Sequence, residues 1–429
     1  MKGRFALLAL AGGIATAVVA GCSLPGIGME SATIELDTSG SVTLRTVSMF
    51  GDGDSGGNTY RAICQKFMEE NPNVVVEDNS QASDEEWKAM VSADFSVGNE
   101  PDVIQFFTDA TADNIVATGK LVSIEEIRAE YPEYAADIYD SALEAAKNTD
   151  GVARAVPTVM YWEGLYCNKD LFDQYGLELP NDWDSLKLAI TAFRENGIIP
   201  IACSLGSVPH YWLEYLMLYS SGVEEYTQVP ATAPEGWIKG MTMLKTLRDM
   251  GAFPENTDTV DDAYTGQLFR DKKAAMQLDG SWYAANIKDT EHTVVIAFPG
   301  VPDQKTENGT IVGGISSGFY ITRKAWEDPQ RRDAAVKFVM AHTSKSGVQQ
   351  YWEAYGGVTQ PIVDGIQVSA DNPFAQSIES YTKNAVATVA PTDARIGSAY
   401  KILISEIVKV STGSLKAEEA INEALEVRE

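Results

Sequence analysis

Apolar and polar positions alternate with a period of two over 41–50 (SVTLRTVSMF), which predicts a strand buried on one face. Beyond a glycine-rich loop the period changes. Tyr60, Ile63, Cys64 and Phe67 recur at helical spacing within 58–70, and Asn71-Pro72 ends the run. Val74-Val75-Val76 is apolar throughout, the pattern of a short strand in a parallel sheet covered on both faces. A helix over 84–95, a strand over 101–107 (PDVIQFF) and a helix opened by the capping box Ser123-Ile124-Glu125-Glu126 follow. Strand and helix alternate, so this part of the chain is predicted to be α/β.

A second α/β unit begins after Val156. Residues 165–168 read as a strand, 169–175 as a short helix closed by Gly176, and Asp182 can cap a helix that runs to Asn196. A buried strand is expected at 198–203. Trp237, Met241, Leu244 and Leu247 share one face of a helix over 234–250, stopped by Gly251. Strands are expected at 274–278 and 294–298. After Gly313-Gly314 come a strand (318–321), a helix (331–342) and a second helix ending at Gly356-Gly357, and the tail to Glu429 is mostly helical. No internal repeat is evident.

The N-terminus has a different character. Lys2 and Arg4 precede an apolar run of small and aliphatic residues to Gly21, the layout of a secretory signal. A spanning helix is disfavoured, because the run is only about long enough, is rich in Gly and Ala, and ends in a cysteine rather than in charged stop residues. Val19-Ala20-Gly21-Cys22 resembles a bacterial lipobox. Residues 1–21 are therefore expected to be removed, Cys22 to carry lipid, and 22–41 to be a flexible tether. This predicts an extracytoplasmic protein held at the cell membrane without crossing it. The other cysteines, Cys64, Cys167 and Cys203, are odd in number and have no short spacing, so they are expected to be buried thiols.

The 429 residues include 33 Lys and Arg against 61 Asp and Glu, a formal charge of −28 that removal of Lys2 and Arg4 would take to about −30. Such a balance repels phosphate backbones and excludes nucleic acid as a partner. The three histidines (His210, His292, His342) have no Cys or carboxylate at ligand spacing, so no metal is expected. No cofactor is expected either. The loop Gly51-Asp52-Gly53-Asp54-Ser55-Gly56-Gly57 satisfies G-x-G-x-x-G, with Glu77 at 21 residues beyond Gly56. Asp52 and Asp54, however, would place negative charge against a pyrophosphate. An EF-hand also fails, because its fifth position would be Gly56 and its twelfth Ile63. Asp52 and Asp54 remain either acceptors for a neutral polar ligand at the carboxyl end of a strand or parts of a solvated turn.

The stretch 151–186 (GVARAVPTVMYWEGLYCNKDLFDQYGLELPNDWDSL) resembles the family 1 extracellular solute-binding proteins of ABC importers, the sugar-binding, maltose-binding-protein-like group. Pro157, Asn168-Lys169-Asp170, Gly176, Pro180 and Trp183 match, while Cys167 replaces the usual Tyr and Asp182 the usual Thr. Pro101-Asp102-Val103, Gly119-Lys120-Leu121, Ala275-Met276 with Gly280-Ser281-Trp282, Gly313-Gly314 before the helix at 334–339, and Gly356 with Pro361 match in order. The resemblance implies an α/β, two-lobed, type II periplasmic-binding fold. Lobe 1 would hold 42–152 and 300–345, lobe 2 would hold 153–299 and 346–429, and a ligand cleft would lie between them. It also implies a monomeric, non-enzymatic receptor that closes about a hinge on a mono- or oligosaccharide and docks on the transmembrane subunits of an ABC permease.

A sugar offers hydroxyls at its rim and C–H groups on its faces, so its site needs aromatic faces beside carboxylates. Trp162-Glu163, Tyr211-Trp212 and Asp279 with Trp282 fit that need, together with Asp109, Ser316, Trp352 and the loop carboxylates Asp52 and Asp54. Trp87, Trp183, Trp237 and Trp326 are assigned to packing. No catalytic residue is assigned. Two alternatives stand beside this: a secreted glycosidase using paired carboxylates, and a polyamine-type binder of the same fold, which would need a carboxylate-dense cleft.

Overall fold

The computed structural model describes residues 41–51, 54–355, 362–366 and 371–427; Cys22 and Asp52 lie outside them. Among the described residues ten strands form two sheets: β1 (Val42–Ser48), β2 (Val74–Asp78), β3 (Val103–Phe107), β4 (Tyr161–Asn168), β5 (Ile199–Ala202), β6 (Ala274–Gly280), β7 (Thr293–Ile296), β8 (Thr310–Gly314), β9 (Ser317–Ile321) and β10 (Ala387–Val389).

The first sheet has the order β2-β1-β3-β9. β1 runs parallel to both its neighbours, and β9 closes the edge antiparallel to β3. Helix Gly57–Glu70 packs Tyr60, Ile63, Cys64 and Phe67 against this sheet, in one core with Phe319 and with Phe338 and Val339 of helix Pro329–Thr343. A second cluster centred on Trp87, Phe95, Ile104 and Phe106 fills the opposite side. The Val74–Val76 run differs from expectation. β2 is an edge strand, so Val74 is buried but Val75 remains 44% exposed.

The second sheet has the order β10-β8-β4-β6-β5, with β7 also paired to β4. β6 is buried along its whole length. Helix Glu235–Asp249 buries Trp237, Met241, Leu244 and Leu247, as its spacing predicts, in a large core that also takes in Trp183 and Trp212. Asp182 caps helix Trp183–Glu195 by a reciprocal capping box with Ser185. The expected division at 300 and 345 differs from the pairing. Thr310–Gly314 joins the second sheet through β4 and β10, whereas Tyr351 and Tyr355 pack into the core of the first. Cys64, Cys167 and Cys203 are buried free thiols. Among the described residues no helix is long and apolar enough to cross a membrane.

Candidate ligand cleft

The period of two along β4 decides which side chains reach the site. Tyr161 and Glu163 point the same way and line a cleft with a volume of about 720 Å³. Trp162, between them, points to the opposite face. It is 1% exposed and packs in the core with its ring 6.0 Å from Tyr166 and 5.7 Å from Tyr381. Trp162 and Glu163 therefore cannot share one ligand, because adjacent strand residues face opposite sides.

Helical spacing sorts the next pair in the same way. Tyr211 and Glu214, three apart on helix His210–Ser221, both line the cleft. Trp212 turns into the core, 1% exposed, with its ring 5.4 Å from Phe298. Trp352 is also buried, in helix Lys345–Ala354, and does not line the cleft. Of the sequence candidates, the cleft wall holds Asp54, Asp109, Glu163, Tyr211, Asp279, Trp282 and Ser316. Trp162, Trp212 and Trp352 are core residues. Trp87, Trp183, Trp237 and Trp326 are buried in packed clusters.

Three aromatic rings form a continuous shelf. Trp282, in the 3₁₀ turn Ser281–Asn286 that follows β6, lies 5.8 Å from Tyr161 at 37° and 5.9 Å from Tyr211 at 41°. Carboxylates flank it. Asp279 is 2% exposed and accepts from Gln277 Nε2 and from the Gly280 N–H, both at 2.7 Å. Burial and nearby Asp262 hold it well above the usual carboxylate range. The backbone of Glu163 is fixed by the hydroxyls of Tyr215 (2.6 Å) and Tyr381, both donating to its carbonyl. Its carboxyl is raised by burial and by the charges of Asp393 and Asp279. Trp282 and Glu163 are neighbours because Glu163 pairs with Gly280 across β4 and β6.

The first sheet supplies the facing wall. Asp54 accepts from Tyr355 Oη at 2.9 Å and from the Gly56 N–H at 2.6 Å, and burial pushes it up to about 7. Asp109 accepts from the Thr111 N–H at 3.0 Å and is likewise raised to about 7, by burial and by Asp393. Lys88 lies 4.8 Å above the Phe107 ring, 2.7 Å from Glu85 and 3.9 Å from Asp393. The walls also touch. Ser55 Oγ donates to the Trp282 carbonyl, the Ser55 N–H donates to the same oxygen at 3.0 Å, and the Ala285 N–H donates to Ser55 Oγ at 3.1 Å.

Sequence reasoning missed Tyr161, Glu214, Tyr355, Asp393 and Tyr400. Tyr161 was recoverable from its i, i+2 relation to Glu163, and Glu214 from its i, i+3 relation to Tyr211. The other three arrive from segments distant in sequence and carry no local signal. Among the described residues no group of three His, Cys, Asp or Glu is placed to hold a metal ion.

Two α/β sheets with their own cores, facing one another across an aromatic- and carboxylate-lined cleft, define a receptor of the type II periplasmic-binding fold. The profile of the family described as bacterial extracellular solute-binding protein matches residues 51–349, and the chain belongs to that family. A curated relative, the multiple sugar-binding protein of Streptococcus mutans serotype c, is 24% identical over 233 residues, 51% of this chain and 54% of its own length. The chain thus spans about half the length of that relative. Among solved structures, a chitin oligosaccharide binding protein superposes with a TM-score of 0.78 at 21% identity, covering 90% of this chain and 98% of its own. Maltose-bound MalE3 of T. maritima gives 0.72 at 17% identity, covering 90% and 98%.

Proposed function

We propose that this chain is a non-enzymatic carbohydrate receptor of an ABC importer, which captures a mono- or oligosaccharide in the cleft and delivers it to the transmembrane permease subunits. One observation carries this reading: the Tyr161–Trp282–Tyr211 shelf, bordered by Asp279 and Glu163, in a cleft of about 720 Å³. Rings at this spacing offer faces to the C–H surfaces of successive sugar units, and the carboxylates accept hydroxyl donors. The volume suits a ligand of a few rings. The similar proteins, among them a multiple sugar-binding protein, a chitin oligosaccharide binding protein and a maltose-bound one, support the same class.

Closure would bend the segments joining the two sheets at 157–160 and 315–316. The ligand would favour the closed form only by its greater affinity for it. Attachment through a lipid on Cys22 and action as a monomer complete the proposal. Isothermal titration calorimetry against a saccharide panel tests it. Saturable heat with a sugar, and release of that sugar chemically unchanged, is expected; no heat with any saccharide rejects it.

A further inference from the structure

The cleft wall is rich in carboxylates, and several of their oxygens have no hydrogen-bond partner. Glu163 and Glu214 are 2% and 1% exposed, yet both line the cleft. Glu163 Oε2, both carboxylate oxygens of Glu214, Asp393 Oδ1 and the Tyr400 hydroxyl are buried without a hydrogen bond. All four residues belong to the cleft wall.

These acids form one electrostatic group. Glu163 and Asp393 each oppose ionisation of Glu214, Asp393 opposes that of Glu163, and Asp393 also raises Asp109. Little in the cleft compensates. Lys88 favours the charge of Asp393, 3.9 Å away, and of Asp109, but it is shared with Glu85 at 2.7 Å and does not act on Glu163 or Glu214. Arg270 donates to Tyr283 Oη at 3.1 Å and to Gln267 Oε1 at 2.8 Å. His210 is pushed down to about 3 by burial and by Lys88, so it is neutral at physiological pH. The Thr392 backbone and Arg395 favour the charge of Glu214, but Arg395 stacks on Tyr226 and donates to the Pro391 carbonyl.

Ionised carboxylates buried without partners are costly, which is why burial and mutual repulsion shift these acids toward the protonated form. A hydroxyl satisfies an acceptor without neutralising the charge of the ionised form. An ammonium group does both, and its hydrogen bonds to carboxylates are charge-assisted. We propose that the ligand is an amino sugar, or an oligosaccharide containing one, whose protonated amine is received by Glu163, Glu214 and Asp393 while its ring lies on the Trp282 shelf. Glu163 borders both regions, because its strand partner is Gly280, two residues before Trp282. The inference rests on the carbohydrate reading above and specifies its ligand.

Calorimetry at pH 7 with matched sets tests it: glucosamine, galactosamine and mannosamine, the β-1,4-linked glucosamine dimer, and for each the neutral hydroxy sugar and the N-acetyl form, with spermidine alongside. At least one amine is expected to bind about tenfold or more tightly than both of its neutral counterparts. That advantage is expected to shrink in Glu163→Gln and Glu214→Gln, with circular dichroism confirming that each variant folds. A neutral sugar binding as tightly as its amine overturns this inference and leaves the carbohydrate reading intact. An amine preference that both variants retain in full also overturns it. Heat with spermidine alone, or with nothing in these sets, overturns this inference, and absence of heat across the wider saccharide panel as well overturns the carbohydrate reading.

Discussion

The indole of Trp282 lies against the Cα of Gly280: a Cβ built on Gly280 would fall 2.3 Å from Trp282 Cζ2 and 2.4 Å from Cε2 and Cη2. No side chain larger than hydrogen fits there, so the glycine that ends β6 also sets the orientation of the ring at the centre of the shelf. In Gly280→Ala the ring, which is partly exposed, must swing away. Ligand affinity is expected to fall about tenfold, with altered tryptophan emission in the free protein. Wild-type affinity and emission in this variant would show that the shelf is not set by this contact.

Trp162 and Trp282 should separate stability from binding. Trp162 is 1% exposed and packed among Tyr166 and Tyr381, so Trp162→Ala leaves a cavity and is expected to cost about 3–5 kcal/mol of folding stability. Trp282→Ala removes a ring at the cleft surface. It is expected to lower ligand affinity about tenfold or more while changing stability much less. Denaturant titration and calorimetry on the two variants read both quantities. The reverse pattern would place the ligand against Trp162.

The contrast between these two residues shows what was legible in the sequence. The alternation at 41–50, the helical stripe at 58–70 and the Trp237–Leu247 face report local periodicity, and each appears as an element with that face buried. Trp162-Glu163 and Tyr211-Trp212 drew notice as pairs, yet the same periodicity rule separates each pair, sending one member to the cleft and the other to the core. Applied a step further, it would have selected Tyr161 and Glu214. Asp393, Tyr400 and Tyr355 were beyond reach. They come to the cleft through the second core or across from the first sheet, and only the packing of remote segments brings them there. Val74–Val76 misled for a related reason: an apolar triplet does not tell an edge strand from a central one.

Ser55 ties the two walls of the cleft. Its hydroxyl donates to the Trp282 carbonyl and accepts from the Ala285 N–H at 3.1 Å, so Ser55→Ala leaves the Ala285 N–H without this acceptor. A loss of about 1–3 kcal/mol is expected in denaturant titration. With the link weakened, the radius of gyration of the unliganded protein in solution scattering is expected to rise, and saturating ligand should restore it. An unchanged scattering profile would mean that the remaining Ser55 N–H bond to the Trp282 carbonyl, at 3.0 Å, is sufficient to hold the walls together.

Acidic cleft residues should also make stability depend on pH in a particular direction. Asp109 is raised to about 7 in the folded protein by burial and by Asp393, with Lys88 and the Thr111 contacts acting the other way, whereas an unfolded aspartate titrates near 4. Between those values the folded state binds the extra proton. The stability this confers is fully present below about pH 4 and is lost as pH rises through about 7. Asp54, raised to about 7 by burial, acts in the same sense. Asp109→Asn is neutral at every pH and is expected to flatten the decline between pH 4 and 7 relative to wild type, measured as the difference between their denaturation midpoints. A difference that stays constant over that range would mean that Asp109 is ionised throughout, with Lys88 rather than a proton balancing its charge.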